Sequence, residues 1–288
     1  MTDTATRATP DPGLLGPGSV TWQLHADTSM WVGGIASLFL QALHPRAVAA
    51  VVQNSNFQAD PFGRLLRTAG FVSISTYGTR AEADEFAARV RRIHRSLRAT
   101  DRETGEPFRI DEPELLLWVH CAEVSSFLEV GRRAGYPLTD AQADRYLDEQ
   151  RQTAALVGLA ADEVPGSRAA MARYFRSVLP ELRRTADTEV IYRFLHHPPL
   201  AWPLRPGIPV YTATIAHLAY SLLPDWAIGL YGRPAYDRDG ATALLRLVRR
   251  TVLRLPELVL SGQRPTPIQA AIQRLGPGAA PSPDRLPG

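Results

Sequence analysis

Residues 60–98, DPFGRLLRTAGFVSISTYGTRAEADEFAARVRRIHRSLR, constrain the fold more than any other stretch, because they hold two helix starts and a histidine in register with an apolar face. Asp60 can cap free backbone N–H groups, and Pro61 suits the first helical position, where no hydrogen bond is lost. From there Phe62, Leu65, Leu66, Ala69 and Val72 recur at helical spacing. Arg64 and Thr68 stand one turn apart, with Arg67 beside them, on an edge continued by Phe71 and Ser75. A loop at Thr76–Gly78 is expected to end this helix. Thr79-Arg-Ala-Glu82 is a capping box that opens the next. The second helix turns Ala83, Phe86, Ala87, Val90, Ile93 and Leu97 inward. His94 lies at the edge of that face, one turn after Arg91.

An imidazole placed in this way has two readings. It is a core histidine bonded to a backbone carbonyl, or it is a ligand to a metal or haem iron, for which neutral imidazole in a dry pocket is well suited. Spacing alone leaves both open. His44 and His120 pose the same question. His44-Pro45 interrupts the apolar run Met30–Val52, where proline frees a carbonyl and kinks the axis. His120 sits within LLLWVHCAEVSSFLEVGRRAG, with Cys121 and Glu123 near. Cys121 reads as an inert small hydrophobe.

The remaining elements are helical. Strand-like alternation is hard to find in the 288 residues, of which 45% are hydrophobic, so the expected fold is all-α, a single multi-helix domain. Ser19–Asp27 is a short lead-in, with His25 a surface or packing residue. Ala99–Ile110 is expected to be an exposed loop. Asp111 and Glu114 cap the long apolar helix, and Thr139 and Gln142 cap the next, to about Gly158. Further helices are expected at Ser167–Arg184, Thr188–Leu195, 211–231 with a break at Pro224, and Ala241–Leu255. Residues 1–13 and 276–288, rich in Gly and Pro, are expected to be flexible tails around a domain spanning 14–260.

The net charge is +3, with arginines spread over many helices and no aromatic-basic stripe, so nucleic acid is not an expected partner. One cysteine excludes a disulfide framework, and the first residues lack an apolar signal region, so a cytoplasmic location is expected. The clean apolar part of Met30–Leu43 is 14 residues, too short for stable membrane insertion. There is no HExxH, no paired Glu-x-x-His, no glycine-rich phosphate loop and no GxSxG elbow. Hydrolysis, phosphoryl transfer and nicotinamide chemistry lack their usual parts.

The segments GPGSVTWQLHAD, MWVGGIASLFLQALHPRAVAAV, DPFGRLLRTAGFVSISTYGT, RVRRIH and ELLLWVHCAEV resemble the MpaB/latex-clearing-protein (rubber oxygenase) catalytic domain over roughly residues 14–250. The arrangement R-x-x-x-T (Arg64, Thr68) followed by R-x-x-H (Arg91, His94) carries most of the likeness, with Leu43-His-Pro45 in support. The resemblance implies a globin-like core and a b-type haem with His94 as the iron's ligand. It places Arg64, Thr68 and Arg91 near the haem, with Arg67 and His120 as further cofactor-binding candidates. It leaves His44 as a candidate on the distal side. Dioxygen and an apolar, unsaturated or isoprenoid small molecule are the implied reactants. Two departures stand out. Arg67 occupies the place where rubber oxygenases have a lysine, and a guanidinium does not ligate iron. Leu40–Ala59 contains no carboxylate where those enzymes have a glutamate. Haem binding therefore carries over better than rubber cleavage, and a non-catalytic haem protein or an apolar-ligand binder is the alternative.

Overall fold

The computed structural model describes residues 9–54, 61–199, 206–251 and 266–288, with the backbone alone for 61–66. The fold is all-α. A short α1 (Val20–Leu24) leads into α2 (Met30–Gln41), which packs more extensively on α6 (Pro113–Arg133) than any other pair of helices. Small residues make that approach possible. A Cβ on Gly33 would come within 2.9 Å of the Phe127 ring, and on the same α6 face Gly131 makes room for Leu24 of α1, 2.7 Å from where its Cβ would be. Val32, Ile35, Ala36, Phe39 and Leu40 are buried around the contact, which gives the core its apolar centre.

A kink was expected at His44-Pro45; the chain makes a corner instead. α2 ends at Gln41, α3 (Pro45–Asn54) begins anew, and the two axes differ by 108°. The reason is local. The His44 Nδ1 accepts the Ala47 N–H at 3.4 Å, so His44 works as a cap for α3, while Pro45 occupies the first helical position without losing a bond. No single described helix is long and apolar enough to cross a membrane.

α4 (Pro61–Tyr77) and α5 (Arg80–Ser96) form the expected helical hairpin. α4 runs through Thr76 and Tyr77, past its expected end. The Thr79–Glu82 capping box is present in full, with the Thr79 N–H donating to the Glu82 carboxylate at 2.7 Å and the Glu82 N–H to Thr79 Oγ1 at 3.1 Å. Ala99–Ile110 is not a simple loop. Arg98–Thr100 (β1) and Pro107–Arg109 (β2) pair antiparallel, burying Ala99 and Phe108 against α3. The Gln53 amide clamps both the N–H and the C=O of Thr100, each at 2.8 Å. The cap of α6 is Glu112, not Asp111, because Pro113 fixes the first helical position and the Asp111 carboxylate is taken by Arg109.

α7 (Asp140–Val157) starts at its Thr139–Gln142 capping box and stops at Gly158, whose φ of +106° suits glycine. α8 (Arg168–Val178) stops short of Arg184 and tightens into a single turn, Leu179–Glu181, around Pro180. α9 (Ala186–His196) begins earlier than expected because Thr185 and Thr188 form its cap. The 211–231 segment is α10 (Ile208–Tyr211), a π-helical turn at Thr212–Ala216, α11 (His217–Ser221) and, after Pro224, α12 (Asp225–Tyr231). α13 (Arg238–Arg250) follows Asp237 as cap, and α14 (Pro267–Leu275) follows Thr266.

Residues 276–288 are not a loose tail. The Trp22 indole N–H donates to Ala279 O at 2.9 Å, the Ser282 N–H to the Gln23 side chain at 2.8 Å, and the Gln142 side chain to Pro287 O at 2.7 Å. Residues low in apolar content still dock when each polar backbone group finds a partner. At the other end, Asp11 accepts the N–H groups of Gly13 and Arg80. Residues 1–8, the Asp60 cap and the end of the last expected helix at 252–255 lie outside the described residues.

Candidate functional site

The site is built on the α4–α5 hairpin and the helices it meets. α4 is fixed by a hydrogen-bonded chain through His25. Thr76 Oγ1 donates to the Val72 carbonyl, one turn back on α4, at 2.8 Å. Its proton thus committed, Thr76 accepts from His25 Nδ1 at 3.0 Å. That tautomer leaves His25 Nε2 as an acceptor for the Tyr146 hydroxyl of α7, also at 3.0 Å. Burial pushes the His25 pKa down to about 3, so the ring is neutral and the chain has one direction. His25 therefore joins the end of α1 to both α4 and α7, more than the surface or packing residue expected.

α5 is tied to α7 by Arg91, whose guanidinium donates to the Leu156 carbonyl in the last turn of α7. Arg91 also lines a cleft of about 280 Å³ with Leu14, Arg80, Asp84 and Gln152. One turn later comes His94. Its ring is half-buried, and burial lowers its pKa against the opposing pull of Asp111. No hydrogen bond among the described residues shapes that titration, so the imidazole is neutral with its nitrogens uncommitted. Arg67 and Thr68 stand exposed on α4. The side chain of Arg64 lies outside the described residues.

α6 supplies the facing wall. Leu116, His120, Glu123 and Phe127 follow one another at turn spacing on one stripe. Leu116 packs with Ala154 and Leu159 at the end of α7, the same end that Arg91 holds. Phe127 lies against His25, ring centroids 5.3 Å apart. Between them, His120 is buried with its Nε2 unpartnered, and burial takes its pKa down to about 4. Glu123, one turn further on, is partly buried. Burial pushes its carboxyl up to about 7, and its charge is felt by Tyr146.

The structure thus ties Arg91, one turn before His94, and Leu116, one turn before His120, to the same end of α7. It does not bring His44 there. Its Nδ1 caps α3, its Nε2 is 3.7 Å from the Glu181 carboxylate, and its ring is 5.9 Å from Trp118. Arg91 is held at the α7 terminus. His217, on α11, lines a separate cleft of about 490 Å³ with His197, Ile208, Thr212 and Tyr236. Cys121 is buried, and its thiol is held well above the ordinary range. Among the described residues no three His, Cys, Asp or Glu side chains cluster to hold a bare metal ion. Spacing alone did not single out Glu123 or Tyr146. A carboxylate within an apolar helix is the signal for the first, and nothing local marks the second.

With that geometry in place, a comparison with known families matches residues 22–254 to the ER-bound oxygenase mpaB/B′/rubber oxygenase catalytic domain. The chain belongs to this family. No curated protein and no solved structure matches it. Family membership makes the chain an oxygenase-type oxidoreductase at the coarse level, with dioxygen and an organic substrate as the implied reactants. In this MpaB/rubber-oxygenase chain the R-x-x-x-T and R-x-x-H residues fall on α4 and α5, both inside the matched range.

Proposed function

We propose that the chain is a haem b oxygenase that acts with dioxygen on an apolar small molecule, with His94 as the protein ligand to iron. The observation that carries this is the state of His94: a neutral, half-buried imidazole, in the last turn of α5, with no hydrogen bond among the described residues competing for its nitrogens. Most covered histidines bond a neighbour through at least one nitrogen. Two further features fit a macrocycle. His120 Nε2 is orphaned one turn from Leu116, which packs at the end of α7, and burial raises the Glu123 carboxyl to about 7. Apolar Leu116 and Phe127 flank them and suit a hydrophobic ring.

Bound haem would supply the dioxygen chemistry that no side chain here can. The chain's own residues bind, orient and exclude water. His94 holds the cofactor. Arg64, Arg67 and Thr68 offer cationic and hydroxyl groups from α4, suited to carboxylate recognition or to a polar oxygen. Arg91 positions His94 by anchoring α5 to α7. His44 has no part in this reading, because its Nδ1 caps α3 at the α2–α3 corner. The proposed location is cytoplasmic.

The test is the absorption spectrum of purified protein titrated with haem b. One Soret-absorbing equivalent is expected, and His94→Ala is expected to abolish it or to lower haem affinity at least about tenfold, the scale on which outer-shell changes alone already act. A colourless protein, or an unchanged spectrum in the variant, overturns the proposal.

A further inference from the structure

The cleft of about 490 Å³ beside α11 has the volume of an ordinary small-molecule pocket, and the haem reading leaves it unused. Ile208, Pro209 and Ala213 give it an apolar lining, and His197, His217 and Tyr236 give it three rings. Its walls are braced. Thr212 Oγ1 donates to the His196 carbonyl at 2.6 Å, tying the π-helical turn to α9. The Tyr236 hydroxyl donates to the Ala213 carbonyl at 3.1 Å, and the Tyr236 backbone N–H to Ser221 Oγ at 2.9 Å. Its ring therefore stands edge-on to His217, centroids 4.5 Å apart. In the π-helical turn itself the His217 N–H reaches back five residues to the Thr212 carbonyl, a rare conformation found mostly at functional sites.

With Thr212 and Tyr236 committed, the polar groups left over are imidazoles. No hydrogen bond among the described residues engages the ring of His197 or His217. Beside them His196 is 5% exposed, with its Nδ1 2.9 Å from the Tyr192 carbonyl and its Nε2 buried without a partner. Its ring centroid lies 5.8 Å from that of His217 and 6.4 Å from that of His197. Burial lowers the His196 pKa, and His217, His197 and Arg233 lower it further, so every charged group acting on it is a cation. Glu189 on α9 is already paired with Arg233 at 2.6 Å.

This chemistry narrows what fits. Among the described residues no Asp or Glu lines the cleft, so a cationic ligand would meet no counter-charge. No three His, Cys, Asp or Glu side chains are placed to hold a metal ion. A small inorganic anion would have to shed its water against apolar walls. A carboxylate accepts hydrogen bonds only, through two oxygens, and two neutral imidazoles offer one N–H each. Such bonds to an ionised acceptor are about twice as strong as neutral ones.

We propose that this cleft binds the carboxylate of an apolar acid, of the medium-chain fatty acid class. His197 and His217 donate to its two oxygens, and the hydrocarbon chain lies along Ile208, Pro209 and Ala213. The site is separate from the haem reading and stands whether or not His94 ligates iron.

The test is isothermal titration calorimetry of the full-length protein at pH 6.5 with octanoate, octan-1-ol and octylammonium, which share one chain and differ in charge. Octanoate is expected to bind at least about tenfold more tightly than the alcohol, and the ammonium ion more weakly still. His217→Phe keeps a ring against Tyr236 but removes both nitrogens, and His197→Phe does the same at an exposed position. Each is expected to lower octanoate affinity at least about threefold while leaving octan-1-ol within about twofold of the parent. Ala213→Trp, at an exposed position on the cleft wall, is expected to remove binding of both. A thermal melt of each variant reports folding; should His217→Phe fail to fold, the His197 and Ala213 variants decide. Alcohol or ammonium binding as tightly as octanoate, or no octanoate binding, overturns the proposal. So does a preference for octanoate that survives both histidine changes, or binding that survives Ala213→Trp.

Discussion

At the scale of single residues, the histidines separate by what their nitrogens meet. His25 is saturated by Thr76 and Tyr146, and His44 Nδ1 is spent on the α3 cap, whereas the His120 Nε2 is orphaned and the His94 ring bonds nothing among the described residues. Spacing could place all four on helices or their ends, but it could not show which were bonded: the partners of His25 are remote in sequence, and the cap His44 gives to Ala47 exists only because the chain turns a corner there. That is why the apolar-edge position of His94 was legible and the structural purpose of His44 was not. The same limit hid Asp27. Burial raises its carboxyl, but hydrogen bonds from Arg249 and Ser29 outweigh that and hold it below the usual carboxylate range. Because the folded value is depressed, the stability it contributes is present above the unfolded value and is lost as pH falls through the folded one. Arg249 is a quarter exposed and Asp27 less so, so the pair lies between the surface and buried limits. Asp27→Asn is expected to cost about 1–3 kcal/mol at pH 7. Chemical denaturation at pH 7 and pH 3 checks this: the gap between parent and variant is smaller at pH 3 than at pH 7.

At the scale of elements, four capping boxes among the described residues, at Thr79, Thr139, Thr185 and Thr266, have both reciprocal bonds, and the first two marked their helices from sequence. Local signals of this kind are legible because donor and acceptor lie three residues apart. The β1–β2 hairpin was not, since its pairing depends on α3 and the Gln53 clamp, far upstream. α1 shows the same dependence more sharply. A helix of this length is not stable alone. It is held by Glu149 on α7, whose carboxylate accepts the N–H groups of Val20 and Thr21 at 3.0 and 2.9 Å, and the Thr21 hydroxyl at 2.9 Å. α1 in turn delivers His25 to α4. Glu149→Ala strands those buried donors and is expected to cost about 2–3 kcal/mol. A thermal melt reads it as a fall of several degrees, accompanied by weaker haem affinity, because α4 loses its anchor. An unchanged melt would show that α1 is held by other means.

At the scale of the whole molecule, the helical class and the order of helices were legible from periodicity, and the return of the chain's end onto its beginning was not. Residues 276–288 close over Trp22, Gln23 and Gln142. Composition alone describes such a segment as loose, because it carries no information about which distant groups await a partner. Deleting 276–288 is expected to lower the melting temperature and to shift tryptophan emission to the red, as the fully buried Trp22 becomes wetted. Emission identical to the parent's would mean that the segment does not cover that ring. The family assignment concerns the same whole, since the matched range contains the α4–α5 hairpin, α6 and α7 together. What distinguishes an oxygenase centre from a packed helical box is one uncommitted imidazole. The most direct measurement is therefore a side-by-side haem titration of the parent, His94→Ala and His44→Gln, followed at the Soret band. The account predicts one equivalent of bound haem in the parent and in His44→Gln, and none, or binding at least about tenfold weaker, in His94→Ala; equal haem binding by all three proteins would contradict it.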